Sequence, residues 1–174
     1  MKIEDRCKNV ELILSDVDGV LTDGGLIFDN QGIEIKRFHV RDGLAIKLWQ
    51  RGGFKFGVLT ARTSHIVKLR STELGVDIVR QGFEDKLSIA QEVAGELGLT
   101  LQRVCYIGDD LPDVPVMRAA GLAIAVADAC EEARGVAHYV TKLPGGQGAV
   151  REAIEFITKA KGQWADLIRK YTGK

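Results

Sequence analysis

Short apolar runs recur along this chain with amphipathic stretches between them, and that alternation limits the fold more than any other feature. The runs cover residues 10–15, 55–59, 76–79, 104–107 and 122–126, with a sixth at 138–140 read as a sheet edge. Each has the length of a buried strand rather than of a buried helix. Helical periodicity occupies residues 43–50, 63–74, 85–97, 112–120 and 129–135. Strands alternating with helices predict a parallel α/β sheet covered on both faces, because a parallel crossover needs a connecting element of helix length. Gly75, Gly98 and Gly121 follow helical runs, where a C-terminal cap is expected. The 174 residues suit one domain, 1–174.

Two segments break the rhythm. Residues 25–38 read as a hairpin flap, with strands at 26–28 and 34–38 around the turn Asp29-Asn30-Gln31-Gly32. Following directly on the first strand, it should hang over that strand's C-terminal end. The tail, 144–174, begins with the turn Pro144-Gly145-Gly146-Gln147-Gly148, read as flexible, and continues with helices at 149–161 and 164–171.

Lys plus Arg and Asp plus Glu number 24 each, so no polyanion-binding surface is expected and nucleic acid is excluded as a partner. No apolar run reaches the length of a membrane span, and residues 1–11 lack the apolar stretch of a signal peptide. Cys7, Cys105 and Cys130 are far apart and odd in number, which points to a reducing, cytoplasmic location. His39, His65 and His138 are scattered and suggest no metal cluster.

The chemistry lies at the strand ends. Asp16-Val17-Asp18-Gly19 follows the first apolar run, and ligands of open parallel sheets bind beyond the carboxyl ends of the strands. Asp16 can face the site with its side chain. Asp18 can offer its carbonyl to a cation while its side chain reaches a leaving group, and Gly19 lets the chain turn away. Gly108-Asp109-Asp110-Leu111-Pro112-Asp113 follows the fourth run. Carboxylates so close repel one another unless solvated or neutralised by a cation, and Asp16 with Asp109 could hold Mg²⁺, which prefers oxygen ligands. Helix capping accounts for part of the role of Asp110 or Asp113. Thr60 ends the second run with a hydroxyl and an N–H, and Lys86 opens the helix after the third; both suit a phosphoryl group.

This order of an Asp pair, a Thr, a Lys and an acidic cluster resembles the haloacid dehalogenase superfamily. Further stretches, Asp16 to Gly24, Val40 to Gly43, Gly108 to Asp113, Ala125 to Ala129 and Gly145 to Glu152, resemble its small capless phosphatases of 3-deoxy-D-manno-octulosonate 8-phosphate. The resemblance implies a Rossmann-like, doubly wound, mostly parallel sheet without a cap domain. It also implies a homotetramer in which the hairpin covers a neighbour's site, and a Gly-rich tail closing over the site. The implied activity is Mg²⁺-dependent hydrolysis of a small sugar-acid phosphate, a step of lipopolysaccharide biosynthesis, through an aspartyl-phosphate on Asp16. Asp18 is then the general acid and base, Asp16, Asp18 and Asp109 are the metal ligands, and Thr60 and Lys86 hold the phosphoryl group. Asp110 and Asp113 are supporting groups.

Ala61 stands where Gly is expected between Thr60 and Arg62, and Gln147 where an Arg is typical. Arg62 and Arg151 remain the candidates for a substrate carboxylate or phosphate. An acylneuraminate 9-phosphate or another sugar phosphate is the alternative substrate. A receiver-like signalling domain is the alternative class, disfavoured by Asp18, which would speed loss of the phosphoryl group.

Overall fold

The structure, a computed structural model, describes residues 1–173; Lys174, the last residue of the tail, lies outside them. The chain builds a six-stranded sheet from β1 (Leu12–Ser15), β4 (Lys55–Thr60), β5 (Ile78–Gln81), β6 (Val104–Gly108), β7 (Leu122–Ala125) and β8 (Tyr139–Val140). Strand order is β5-β4-β1-β6-β7-β8, and every neighbouring pair is parallel. The α/β, Rossmann-like, doubly wound architecture is therefore as expected, and among the described residues no cap domain is present. Helices α1 (Ile3–Asn9), α2 (Val40–Arg51), α3 (His65–Leu74) and α7 (Ala149–Ala160) group together; α4 (Lys86–Glu96), α5 (Val114–Ala119) and α6 (Glu131–Val136) form a second group. Helix α8 (Trp164–Thr172) packs on α7 and α2.

β1 is wholly buried and central, with β4 and β5 laid down on one side and β6 to β8 on the other. The strand order reverses beside it, so a crevice opens at its C-terminal end. The hairpin, β2 (Ile27–Phe28) and β3 (Glu34–Ile35), is a separate antiparallel pair, with shorter strands than predicted.

Four expectations are corrected. β5 starts two residues late: Val76 is still tied to Ser71 O in the cap of α3, and pairing begins only at Gly57 with Ile78. The helix predicted at 112–120 starts as a 3₁₀ turn, Leu111–Asp113, before α5. Gly121 is not a left-handed cap, since α5 ends at an extended Ala120; a Cβ on Gly121 would lie 2.0 Å from Gln102 O. The Pro144–Gly148 turn is not free: Gly146 N donates to Val20 O at 2.9 Å and Gly145 N to Asp128 Oδ1 at 2.9 Å. Helix α1 was unforeseen, because only Ile3 and Cys7 supply apolar positions in it.

Candidate active site

Three strand ends and one helix start converge on the crevice. Asp16 leaves β1, with its amide bonded to Ile107 O of β6 at 3.0 Å. Its Oδ1 accepts from Val17 N at 2.7 Å, and its Oδ2 lies 2.9 Å from Lys86 Nζ. Lys86 is the first residue of α4 and is only 4% exposed. Its ammonium also meets Asp113 Oδ1 at 2.7 Å, and the Tyr106 hydroxyl donates to that same oxygen at 2.7 Å. The other Asp113 oxygen accepts from Asp109 N at 2.9 Å and Asp110 N at 3.3 Å. Asp113, fully buried, thus fixes both Lys86 and the loop that carries Asp109.

Asp16, Asp109 and Asp113 offer carboxylate oxygens that all lie within 4.8 Å of one another. Asp109 Oδ1 is buried without a hydrogen-bond partner. Burial, and then the Asp113 charge, push Asp16 up to about 7 against the pull of Lys86. Burial pushes Asp109 up to about 8, with Asp113 and Asp16 adding to the effect. Burial alone would lower Lys86, but Asp16 and Asp113 outweigh it and raise its pKa. One ammonium beside three carboxylates leaves negative charge uncompensated, and Asp109 Oδ1 is buried without a partner. Those features fit a hard divalent cation. Gly19 makes room for this approach: its φ is +93°, and a Cβ there would lie 2.1 Å from Asp109 Oδ2.

Thr60 is 3% exposed at the end of β4, with Oγ1 accepting from Arg62 N at 3.3 Å. Asp18 bonds to the Lys36 ammonium of the flap, and its Oδ2 lies 3.8 Å from Arg62 Nε. Two other candidates stay apart. Asp110 is exposed and caps the 3₁₀ turn through Leu111 N at 2.8 Å. Arg151 pairs with Glu155 at 3.3 Å and lies over Trp164, with its amide held by Asp42 at 2.7 Å. Lys36, Glu34, Ser64 and Tyr106 are the site residues that sequence reasoning missed. A Tyr inside an apolar run and a Lys inside a hairpin carry no local sign of where they point.

Residues 65–154 match the family described as haloacid dehalogenase-like hydrolase. A 3-deoxy-D-manno-octulosonate 8-phosphate phosphatase from Yersinia pestis is 42% identical over 156 residues, 90% of this chain and 83% of that protein. The chain belongs to the haloacid dehalogenase-like hydrolases. The fold of this hydrolase superposes on the Moraxella catarrhalis 3-deoxy-D-manno-octulosonate 8-phosphate phosphatase, solved with magnesium, phosphate and KDO. The TM-score is 0.96 at 39% identity, over 98% of each chain. It also matches the cobalt-bound Haemophilus influenzae deoxy-D-mannose-octulosonate 8-phosphate phosphatase, TM-score 0.89 at 38% identity, over 92% of this hydrolase and 94% of that chain. Among the described residues no helix is long and apolar enough to cross a membrane.

Proposed function

We propose that this chain is a Mg²⁺-dependent phosphatase releasing inorganic phosphate from 3-deoxy-D-manno-octulosonate 8-phosphate, and that residues 1–174 act as one phosphatase domain. The observation that carries the reading is the side-chain cluster in which Asp16 meets Lys86 at 2.9 Å and carboxylate oxygens of Asp16, Asp109 and Asp113 lie within 4.8 Å of one another. The likeness to curated octulosonate 8-phosphate phosphatases over nine-tenths of the chain supports the substrate.

In this mechanism an Asp16 carboxylate oxygen forms a bond to phosphorus as the ester P–O bond breaks in line, leaving an aspartyl-phosphate. Asp18 gives a proton to the departing sugar oxygen. It then takes one from the water that attacks the intermediate, which regenerates the Asp16 carboxylate and frees phosphate. Lys86 and Thr60 donate to the phosphoryl oxygens and offset their charge. Asp113 and Tyr106 hold Lys86 in place. Asp16, Asp109 and the Asp18 carbonyl would hold Mg²⁺, which would supply further positive charge at the phosphoryl group.

The reading extends to a homotetramer in the cytoplasm. The exposed flap residues Leu26, Ile27, Phe28, Ile33 and Ile35 suit a contact between copies, and Cys7, Cys105 and Cys130 are free thiols. Steady-state hydrolysis of octulosonate 8-phosphate beside an acylneuraminate 9-phosphate tests the substrate: a higher kcat/KM for the acylneuraminate would overturn it. Asp16→Asn tests the nucleophile and should lower turnover by about a thousandfold or more while leaving the fold unchanged by circular dichroism. Near-full activity of that variant would remove Asp16 from the mechanism.

A further inference from the structure

The flap brings charges into the mouth of the site that the phosphoryl chemistry does not use. Lys36 follows β3, and its side chain is 1% exposed. Its ammonium reaches Asp18 and, at 3.2 Å, Glu34 Oε1. That same Glu34 oxygen accepts from the Arg62 guanidinium at 3.2 Å, and Oε2 accepts from the Ser64 hydroxyl at 2.6 Å. Ser64 is 4% exposed, and its amide is fixed by Gln81 Oε1 at 2.7 Å. The Ser64 hydroxyl first, and then Lys36 and Arg62, hold Glu34 below the usual carboxylate range. Two cations, Lys36 and Arg62, therefore face two anions, Asp18 and Glu34, on the leaving-group side of the site.

We propose that Glu34 is a resident carboxylate that occupies the subsite for the substrate's own carboxylate and is exchanged for it on binding. This rests on the reading of the site as a phosphatase of sugar-acid phosphates. With Glu34 in place, Lys36 and Arg62 are already neutralised, and a second carboxylate beside them is repelled. If Glu34 swings out, an incoming carboxylate inherits the guanidinium, the ammonium and the Ser64 hydroxyl. The net charge of the cluster and its number of donors then stay the same. Glu34 borders solvent, since it sits in the flap between the half-exposed Ile33 and Ile35 and its side chain is 16% exposed. A phosphate ester with a neutral leaving group cannot complete the exchange and meets a filled subsite. Glu34 is on this view a specificity-determining residue: it admits acidic leaving groups at some cost in affinity.

The matched pair 6-phosphogluconate and glucitol 6-phosphate tests this, since the two differ only in a carboxylate against a hydroxymethyl group. Each is used as a competitive inhibitor of p-nitrophenyl phosphate hydrolysis by the Mg²⁺-loaded enzyme and by its Glu34→Gln and Glu34→Ala variants. Glu34→Gln keeps the shape and the acceptor for Arg62 while removing the competing charge. The expected result is a Ki for 6-phosphogluconate lower by on the order of tenfold in both variants, with the glucitol 6-phosphate Ki changed less than about twofold. Parallel changes in the two Ki values would make Glu34 a contact for hydroxyls or a prop for the flap and overturn the proposal, as would no change in either. Neither compound is an octulosonate, so failure here is separate from failure of the substrate comparison above.

Discussion

Lys86 shows how a single residue sets both stability and chemistry. Its ammonium is buried between Asp16 and Asp113, and removing one member of such a group leaves the others charged and unpaired in a medium that solvates them poorly. Lys86→Met should therefore lower stability by about 3–5 kcal/mol in metal-free enzyme, measured by urea unfolding. A loss under about 1 kcal/mol would mean that the carboxylates are relieved by solvent instead. Asp16 and Asp109 set the pH dependence. In the folded, metal-free protein they are pushed up to about 7 and about 8 by burial and by their carboxylate neighbours, against 3.8 for an ordinary Asp. The folded state thus binds more protons than the unfolded chain across that interval, so metal-free stability falls as pH rises through it. A divalent cation needs both groups ionised and must displace those protons, so its affinity climbs over the same range. Thermal melts with chelator and with Mg²⁺, at about pH 6 and about pH 8, should give the larger Mg²⁺-induced rise in Tm at the higher pH. An equal rise at both would show that Asp16 and Asp109 are not the groups the metal deprotonates.

At the scale of elements, the first strand's loop and the glycine turn before α7 form one packed unit. A Cβ on Gly145 would stand 1.7 Å from Gly19 O, and one on Gly146 would stand 2.4 Å from Asp23 N, in both cases against backbone that cannot rotate aside. Gly145→Ala must displace the Asp16–Gly19 loop, and with it Asp18, relative to Asp109. We expect a stability loss of about 1–3 kcal/mol together with a fall in kcat. Gly121→Ala is the control: it meets Gln102 O at 2.0 Å at the other end of β7, and should cost similar stability with kcat unchanged below its Tm. Equal kcat in the two variants would uncouple the turn from the site. The same turn shows where sequence reading stops. Its glycines are visible, but flexibility and a forced close approach leave the same letters, and only the Gly19 and Thr22 carbonyls beside it decide between them. The sheet was legible because buried parallel strands are continuous apolar runs, and Asp16, Thr60, Lys86 and Asp109 were legible because each stands at the end of a run or the start of a helix. β5 was misplaced by two residues because Val76, apolar and buried, belongs to the cap of α3 rather than to the ladder. The Glu34–Ser64 bond joins residues thirty apart on different elements, a pairing no local pattern carries.

For the molecule as a whole, the flap is the part that the proposed tetramer would complete. Two-residue strands pairing Ile27 with Ile35 and Phe28 with Glu34 make a hairpin too small to be stable alone. Its ties to the body are polar, through Lys36 to Asp18, Arg37 to Asp23, and Glu34 to Arg62 and Ser64, with Phe38 packed on the core at its base. The apolar side chains meanwhile stay open, with Phe28 53% and Ile33 57% exposed. Water is a poor partner for so many contiguous apolar groups, and a second copy of the same surface would remove them from it. Burial of these five side chains in a tetramer should then hold the flap, and Lys36 and Glu34 with it, over the crevice. Ile27→Lys, opposite Ile35 in the hairpin, puts a charge into that contact while facing away from the Glu34 ties. Light scattering after size exclusion should show the wild type as a tetramer and this variant as smaller species. The KM for a sugar-acid phosphate should rise about tenfold, the scale expected for losing a binding wall that is held by assembly. The carboxylate cluster, formed by Asp16 after β1, Asp109 after β6, Asp113 of the 3₁₀ turn and Lys86 of α4, lies outside the flap and should keep its Mg²⁺-induced rise in Tm. A wild type of monomer mass, or an Ile27→Lys tetramer with unchanged KM, would place the flap's order within the single chain and leave its apolar face without a partner.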